Sequence, residues 1–479
     1  MPNNASIKSF SSIHFVGIGG IGMSALARMS LKFNIRVSGS DAFESDITQA
    51  LSSEGAQIFI GHKKENVQDC SLLVYSSAVK SDNPERQIAS EKKIREMRRA
   101  DFLGLISNEY KTLICAAGTH GKTSISSIIT SMLYALQLDP SALIGGIMNQ
   151  FNSNARIGSD NNYLVVEADE YDRSFLTLSP TISIISSVDE DHLDIYDGKE
   201  DIQNTFLKYS RQIRDGGRLI LCIDDPGLNQ LQTKFDNPFT YAIDNNTADV
   251  KAVDINMLNG ESKFKVRTKG LLSNEFTLTS PGKHNILNAL SAISTGILLG
   301  YDVNQLIPAI ASFRGVQRRF ELKTQVKNIR FYDDYAHHPT EVLAAIHTAR
   351  NIAGEGRVVV IFQPHLFSRT QDFAAEFAEA LALSDLTILM DIYPAREKPI
   401  EGVSSQLIYD KMSPSKAVSC ATIDDVQKYL INHTAANDLV LCLGAGDLSF
   451  HIEALAKNCS LAWEKKENNH KVTKTQRRN

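Results

Sequence analysis

Basic residues are not in excess in this chain of 479 residues. Its 50 lysines and arginines face 55 aspartates and glutamates, for a net charge of -5. That balance excludes a general nucleic-acid grip, which needs a basic surface. Long apolar runs are missing too: no stretch reaches the roughly 18 apolar residues of a membrane span. The first residues, MPNNASIKSF, lack the basic-then-apolar pattern of a secretion leader. Cysteine is scarce. Cys70, Cys115, Cys222, Cys420, Cys442 and Cys459 form no C-x-x-C pair, so neither a disulfide framework nor a zinc site is expected. Short-period repeats are absent. A cytoplasmic protein follows as the expectation, with no nucleic-acid or membrane partner.

What is present is ordinary globular composition, 43% hydrophobic and 22% charged. The length suits roughly three domains at about 150 residues each. Short apolar runs alternate with helical patterns throughout, which argues for α/β blocks with parallel strands. Block one, residues 1–108, holds IHFVGIG, IRVSGSD, AQIFIGH and LLVYSSA. Block two, 109–317, holds TLICAAG, YLVVEAD and TISIISSV, and alternation between Asp244 and Ser280 predicts a small antiparallel sheet. Block three, 318–464, holds IRFYDDYA, RVVVIFQPH, LTILMDIYP and LVLCLGAGD. The polar, basic tail 465–479 is expected to be disordered.

Ligands on parallel sheets sit at the carboxyl ends of strands. In block one those ends carry Gly17, Ile18, Gly19, Gly20, Ile21 and Gly22, then Ser40 and Asp41, His62, and Ser76 and Ser77. Gly17, Gly19 and Gly22 make a G-x-G-x-x-G turn between a strand and a helix, a seat for a pyrophosphate. Alone, it would equally suit a dehydrogenase, with Asp41 near the place of a ribose-binding acid.

Block two carries a stronger signal, CAAGTHGKTSISSII. A strand, a glycine-rich turn, Lys122-Thr123 and a helix stand in P-loop order. Backbone N–H groups of Gly118, Thr119, His120, Gly121, Lys122 and Thr123 would cradle phosphate oxygens. Lys122 would neutralise charge, and the Thr123 hydroxyl would meet Mg²⁺. The usual first glycine of the motif is Ala116. Two further strands end in acids. YLVVEADEYDRSF brings Glu167, the first choice as a Mg²⁺ ligand, and SSVDEDHLDIYDG brings His192, as a ligand of a second Mg²⁺ or a contact to the substrate phosphoryl group. His284, Asn285 and Asn288 open a helix in PGKHNILNALSAI with spacing that lets one face carry them.

Block three contributes Arg318 and Arg319 in GVQRRFE, then Asp333, Asp334, Tyr335, His337 and His338 in FYDDYAHHPTEV. Neighbouring histidines on one loop rarely share a metal, so substrate positioning is the better reading. His365 and Arg369 follow a buried strand, where an arginine can clamp a carboxylate.

Together, THGKT, EADE, DHLD, HNILN and DDYAHHPTE resemble the Mur ligase family across nearly the whole chain. The resemblance implies a Rossmann-like N-terminal UDP-binding domain. It further implies a central P-loop ATPase domain and a C-terminal Rossmann-like domain. GTHGKT, with His120 where other members usually carry Asn, is similar to the branch acting on UDP-N-acetylmuramate. The implied reaction uses ATP and Mg²⁺ to join L-alanine to the lactyl carboxylate of that UDP-sugar through an acyl phosphate. The alternative within the family attaches a murein tripeptide; outside it stand a dehydrogenase and a non-catalytic ATP-binding regulator. GIGGIGMS is similar to the alanine-adding branch.

By the same resemblance, Thr123, Glu167 and His192 hold Mg²⁺. Gly118 to Ser124, His284, Asn285, Asn288, Arg319 and Asp334 bind ATP. Tyr335, His337 and Arg369 orient L-alanine, and the catalytic group comprises Lys122, Glu167, His192, His337 and Arg369. Many relatives carry an arginine where this chain has Leu366, and Gln371 replaces another basic residue. A monomer or weak homodimer is expected.

Overall fold

The structure is a computed structural model describing residues 6–67, 69–189, 195–258, 260–395 and 397–476, with side chains through residue 465. It is α/β throughout, with three sheets. The first holds β1 (Ser12–Val16), β2 (Arg36–Asp41), β3 (Gln57–Ile60), β4 (Leu72–Tyr75) and β5 (Arg95–Arg98) in the order β3-β2-β1-β4-β5. Every pairing in it is parallel. Chain order reverses at β1, whose Val16 stands beside Ser40 on one side and Tyr75 on the other. Such a reversal opens a crevice at the strand ends.

The second sheet starts at β6 (Thr112–Ala117) and runs through β7 (Ser141–Met148), β8 (Ser153–Arg156), β9 (Tyr163–Glu167), β10 (Ile182–Ile185), β11 (Arg218–Cys222) and β12 (Phe239–Ala242). It continues with β13 (Val250–Leu258), β14 (Glu261–Thr268), β15 (Leu271–Leu272) and β16 (Phe276–Leu278). The spatial order is β15-β14-β13-β12-β11-β10-β6-β9-β7-β8, with β16 beside β14. The antiparallel strands expected between Asp244 and Ser280 are there. They do not form a sheet of their own, because β13 pairs in parallel with β12 and extends the central sheet.

The third sheet has β17 (Glu321–Val326), β18 (Ile329–Asp334), β19 (Val358–Phe362), β20 (Leu386–Leu389), β21 (Ala417–Ser419) and β22 (Leu439–Leu443), ordered β17-β18-β22-β19-β20-β21. Its central strand shows why the run VVVIF is apolar without alternation. Val358, Val360 and Phe362 enter one core and Val359 and Ile361 the other, since helices cover both faces.

Two compact units result. The first takes the chain to Ile255 with Lys263–Leu278 and Ile286–Arg314; the second takes Asn256–Ser262, Thr279–Asn285 and the chain from Gly315. The first sheet and most of the second thus share one unit. Helix Arg99–Ser107 packs closely on the segment Tyr171–Thr177: a side chain at Gly104 would lie 2.4 Å from the Thr177 carbonyl. The Lys32 ammonium also donates across to the Asp160 carbonyl at 2.6 Å.

Contrary to the expected disorder from Lys465, helix Ile452–Gln476 runs through most of that stretch. It contains no glycine or proline, and lysine and glutamate are good helix formers. All six cysteines are buried and unpaired.

Candidate functional site

The glycine turn after β1 is built by its neighbours. The Ser40 carbonyl accepts from both Gly17 and Ile18 N–H, at 2.8 and 2.9 Å. Asp41 accepts the Gly19 N–H at 2.8 Å. Three N–H groups of the turn are therefore spent inside the protein. The first turn of helix Ile21–Lys32 keeps orphan N–H groups, which together with the helix dipole favour an anion.

That turn forms one wall of a cavity of about 400 Å³ lined by Gly17, Gly20, Ile21, Gly22, Ser76 and Arg99. The opposite wall brings Leu143, Gly145, Glu167 and Asp169 from the second sheet. Ile18 is turned away, fully buried, and Ser77 is exposed outside the lining. Ser40, Asp41 and His62 lie off the cavity, at the ends of β2 and β3.

Behind Ser40 lies an acid that no motif announced. Asn83 caps helix Pro84–Glu91 by accepting from Glu85 N–H, with Pro84 in the first turn. This sets the fully buried Glu85 among Ser40 Oγ at 2.5 Å, Asn66 Nδ2 at 2.7 Å and His14 Nε2 at 3.7 Å. Burial alone would raise its carboxyl pKa. The nearby His14 ring and the hydrogen bonds from Ser40 and Asn66 win, and it falls to about 2.

In the second sheet, β6 lies between β9 and β10, so register places the acidic strand end beside the P-loop: Ala116 pairs with Glu167. Gly118 and Gly121 take φ of 127° and 85°, which side chains disfavour. A Cβ at Gly121 would also lie 2.7 Å from Asn288 Oδ1, so that asparagine reaches the loop. The loop is braced from β10: Ser187 Oγ accepts His120 N–H at 2.9 Å, and Ser186 Oγ donates to the His120 carbonyl at 2.5 Å.

Lys122 bends over its own loop. Its ammonium donates to the Gly118 carbonyl at 2.9 Å and to both Glu170 oxygens at 2.9 and 2.8 Å. Burial works against its charge, but Glu170 and Asp169 hold its pKa above the ordinary lysine range. Burial pushes Glu170 upward while Lys122 pulls it down. Glu167 Oε1 accepts Gly145 N–H at 2.8 Å and lies 3.5 Å from Ser126 Oγ, in the helix Lys122–Ala135 whose first turn holds Thr123. Hydroxyl and carboxylate oxygens are hard donors, so Thr123 and Glu167 fit Mg²⁺. His192 falls outside the described residues.

The second unit gathers another set. Asp334 accepts backbone N–H from Phe320 and Ala336, each at 2.7 Å, and burial raises its pKa to about 6 despite Arg319. Burial and the Arg319 charge push His284 down to about 4, so it is neutral at pH 7. Asn285 donates to the Pro281 carbonyl and closes its own turn. The guanidinium groups of Arg318 and Arg319 lie 4.7 and 5.2 Å from the Tyr335 ring centre. His337 bonds the Tyr335 carbonyl through Nδ1 at 2.9 Å, and its ring meets His365, which stacks on Tyr393. Arg369 is buried in the short helix Phe367–Asp372. Leu366 is buried with φ of 71°, its N–H on the Tyr393 carbonyl at 3.0 Å.

Three family models cover the chain in order. "Mur ligase family, catalytic domain" matches residues 12–111, "Mur ligase middle domain" 116–296, and "Mur ligase, glutamate ligase domain" 318–446. A UDP-N-acetylmuramate–L-alanine ligase from Clostridium novyi (strain NT) is 41% identical over 440 residues, 91% of this chain and 95% of the relative. The chain belongs to the Mur ligase family. One from Chlorobium chlorochromatii (strain CaD3) is 38% identical over 93% of this chain and 97% of its own. Among solved structures, UDP-N-acetylmuramate–alanine ligase from Thermotoga maritima aligns with TM-score 0.77 and 29% identity, over 95% of this chain and 99% of that one. A murein peptide ligase from Psychrobacter arcticus shares the fold at TM-score 0.67 and 24% identity, over 94% and 99%.

Several residues of this Mur ligase escape motif reading. Arg99 directly follows β5 as the first residue of helix Arg99–Ser107 and lines the cavity, close enough that a Cβ at Gly22 would lie 3.0 Å from its Nη1. Glu170 is one of four acids in EADEYD, and geometry pairs it with Lys122. Tyr393 carries no motif at all.

Proposed function

We infer that this Mur ligase joins L-alanine to the lactyl carboxylate of UDP-N-acetylmuramate at the expense of ATP, in the cytoplasmic assembly of peptidoglycan precursors. One observation carries the reading: the cavity has an anion-binding helix turn and Arg99 on one wall, and Glu167 and Asp169 beside a P-loop on the other. A diphosphate seated on the turn at Ile21 and Gly22 directs the rest of a UDP-sugar toward the nucleotide loop.

The reaction then follows from charge. The lactyl carboxylate must attack the γ-phosphorus of ATP, forming an acyl phosphate and releasing ADP. Two unit charges at about 4 Å repel by about 4 kcal/mol at an effective dielectric near 20. Lys122, the loop N–H groups and Arg99 offset that repulsion. Mg²⁺ held by Thr123 and Glu167, with His192 as the third candidate, would neutralise phosphate charge when bound. Asn288 reaches the P-loop from its helix, and by the family resemblance His284, Arg319 and Asp334 are further candidates for binding ATP. The free amine of L-alanine attacks the acyl carbon, phosphate leaves, and the amide forms with loss of a proton. Tyr335 and His337 orient the amino acid, and Arg369 takes its carboxylate.

Phosphate release tests the reading. With ATP, Mg²⁺ and UDP-N-acetylmuramate, L-alanine should support turnover, and Lys122→Ala should lower it by at least a hundredfold without unfolding the chain. Release with murein tripeptide but not L-alanine would instead assign the chain to peptide recycling.

A further inference from the structure

The acid behind the first sheet has no part in the chemistry above, yet a fully buried carboxylate is costly to keep without a task. Its partners indicate one. Glu85 accepts from Lys63 N–H at 3.3 Å and from Asn66 Nδ2 at 2.7 Å, so it holds the loop after β3 in which His62 stands. Its other oxygen accepts from Ser40 Oγ at 2.5 Å. Ser40 Oγ lies 2.9 Å from His62 Nδ1, and the same ring nitrogen is 3.4 Å from Glu85 Oε2.

A serine hydroxyl has one proton. An ionised carboxylate can only accept, so that proton points to Glu85. Ser40 Oγ must then accept from His62, and both neighbours of Nδ1 are acceptors. The proton of a neutral His62 ring therefore sits on Nδ1, and Nε2 is left bare. The His62 side chain is 28% exposed at the sheet edge, where the nucleoside end of a ligand seated on the β1 turn would lie.

We propose that Glu85, acting through Ser40, fixes His62 in the Nδ1–H tautomer, so that Nε2 accepts the N3–H of a uracil base and discriminates uridine from cytidine nucleotides. The inference rests on the UDP-sugar reading of the first domain. Uracil carries a proton on N3, whereas cytosine presents a lone pair there. A bare Nε2 attracts the first and repels the second. Glu85 is thus a positioning residue, and Ser40 transmits its effect.

The test uses the full chain, with UDP and CDP as probes. Nitrogen NMR of the labelled protein should show His62 protonated at Nδ1, and calorimetry should show UDP bound at least tenfold more tightly than CDP. Ser40→Ala and Glu85→Gln should each move the ring toward the Nε2–H form and reduce the UDP-to-CDP preference about tenfold. Ser40→Ala keeps the carboxylate with its Asn66 and Lys63 partners, so it decides the matter if Glu85→Gln does not fold. An Nε2–H ring in the unaltered protein overturns the proposal, as does an unchanged preference in Ser40→Ala. Should His62→Ala retain full UDP affinity, the base seat itself is misplaced. Should the chain bind no UDP, the reading of the first domain falls with it.

Discussion

A single glycine shows how narrowly the nucleotide loop is specified. Gly121 carries positive φ at the entry to helix Lys122–Ala135, and Asn288 Oδ1 stands where a Cβ would go. Gly121→Ala should cost about 1–3 kcal/mol in stability from the backbone alone. If the displaced asparagine serves ATP as proposed, the KM for ATP should rise more than tenfold. Denaturant melts and initial rates on one preparation check both; an unchanged KM would remove Asn288 from that site. The pairing of Lys122 with Glu170 has a related meaning. A phosphate bound as proposed would compete with a buried carboxylate for the same ammonium, and the lysine would meet it already charged and already placed.

Elements bring these residues together through register. The pairing of Ala116 with Glu167 and of Ala117 with Ile185 sets the ends of β9 and β10 beside the P-loop. Strand ends were legible in the sequence because apolar runs stop abruptly at glycine, acid or histidine. That pattern located the glycine turn, the P-loop and the acids after β9. It could not say which way a residue faces. Ile18 stands in the glycine motif but packs into the interior, and Asp41 turns its carboxylate onto Gly19. Nor could it find Glu85 or Arg99, which lie on elements distant in sequence and meet the site only when the sheet folds. The helix beyond Lys465 has a simpler cause: polar composition points to disorder, yet no glycine or proline between Lys465 and Gln476 interrupts a helix.

Glu85 also ties the fold to pH. Its folded pKa lies below the unfolded value, near 4.5, so its stabilisation is complete above that pH and is lost as pH falls through about 2. The contribution is about 3 kcal/mol. Acid denaturation of Glu85→Gln should lack that component, giving a flatter dependence between pH 4.5 and 2. A parallel curve for the two proteins would count against a strongly ionised Glu85.

The whole molecule divides differently from its three sheets. The glycine turn, the cavity and the P-loop belong to one compact unit, and His337 and Arg369 to the other. Calorimetry of the full chain should resolve two transitions. UDP at a hundred times its Kd should stabilise only that of the first unit, by about 2.7 kcal/mol. A shift of both transitions would show the two units unfolding as one.

Burial has silenced the sulfur of this protein. It pushes the Cys115 and Cys222 thiols up to about 12 and those of Cys70 and Cys459 up to about 11. Thiolate is the reactive form, so the native chain offers alkylating dyes almost nothing to attack. One cysteine introduced at the exposed Ser77, just past the end of β4, would then carry the whole label. The chain supplies its own dark background for a fluorescent reporter at the mouth of the first domain.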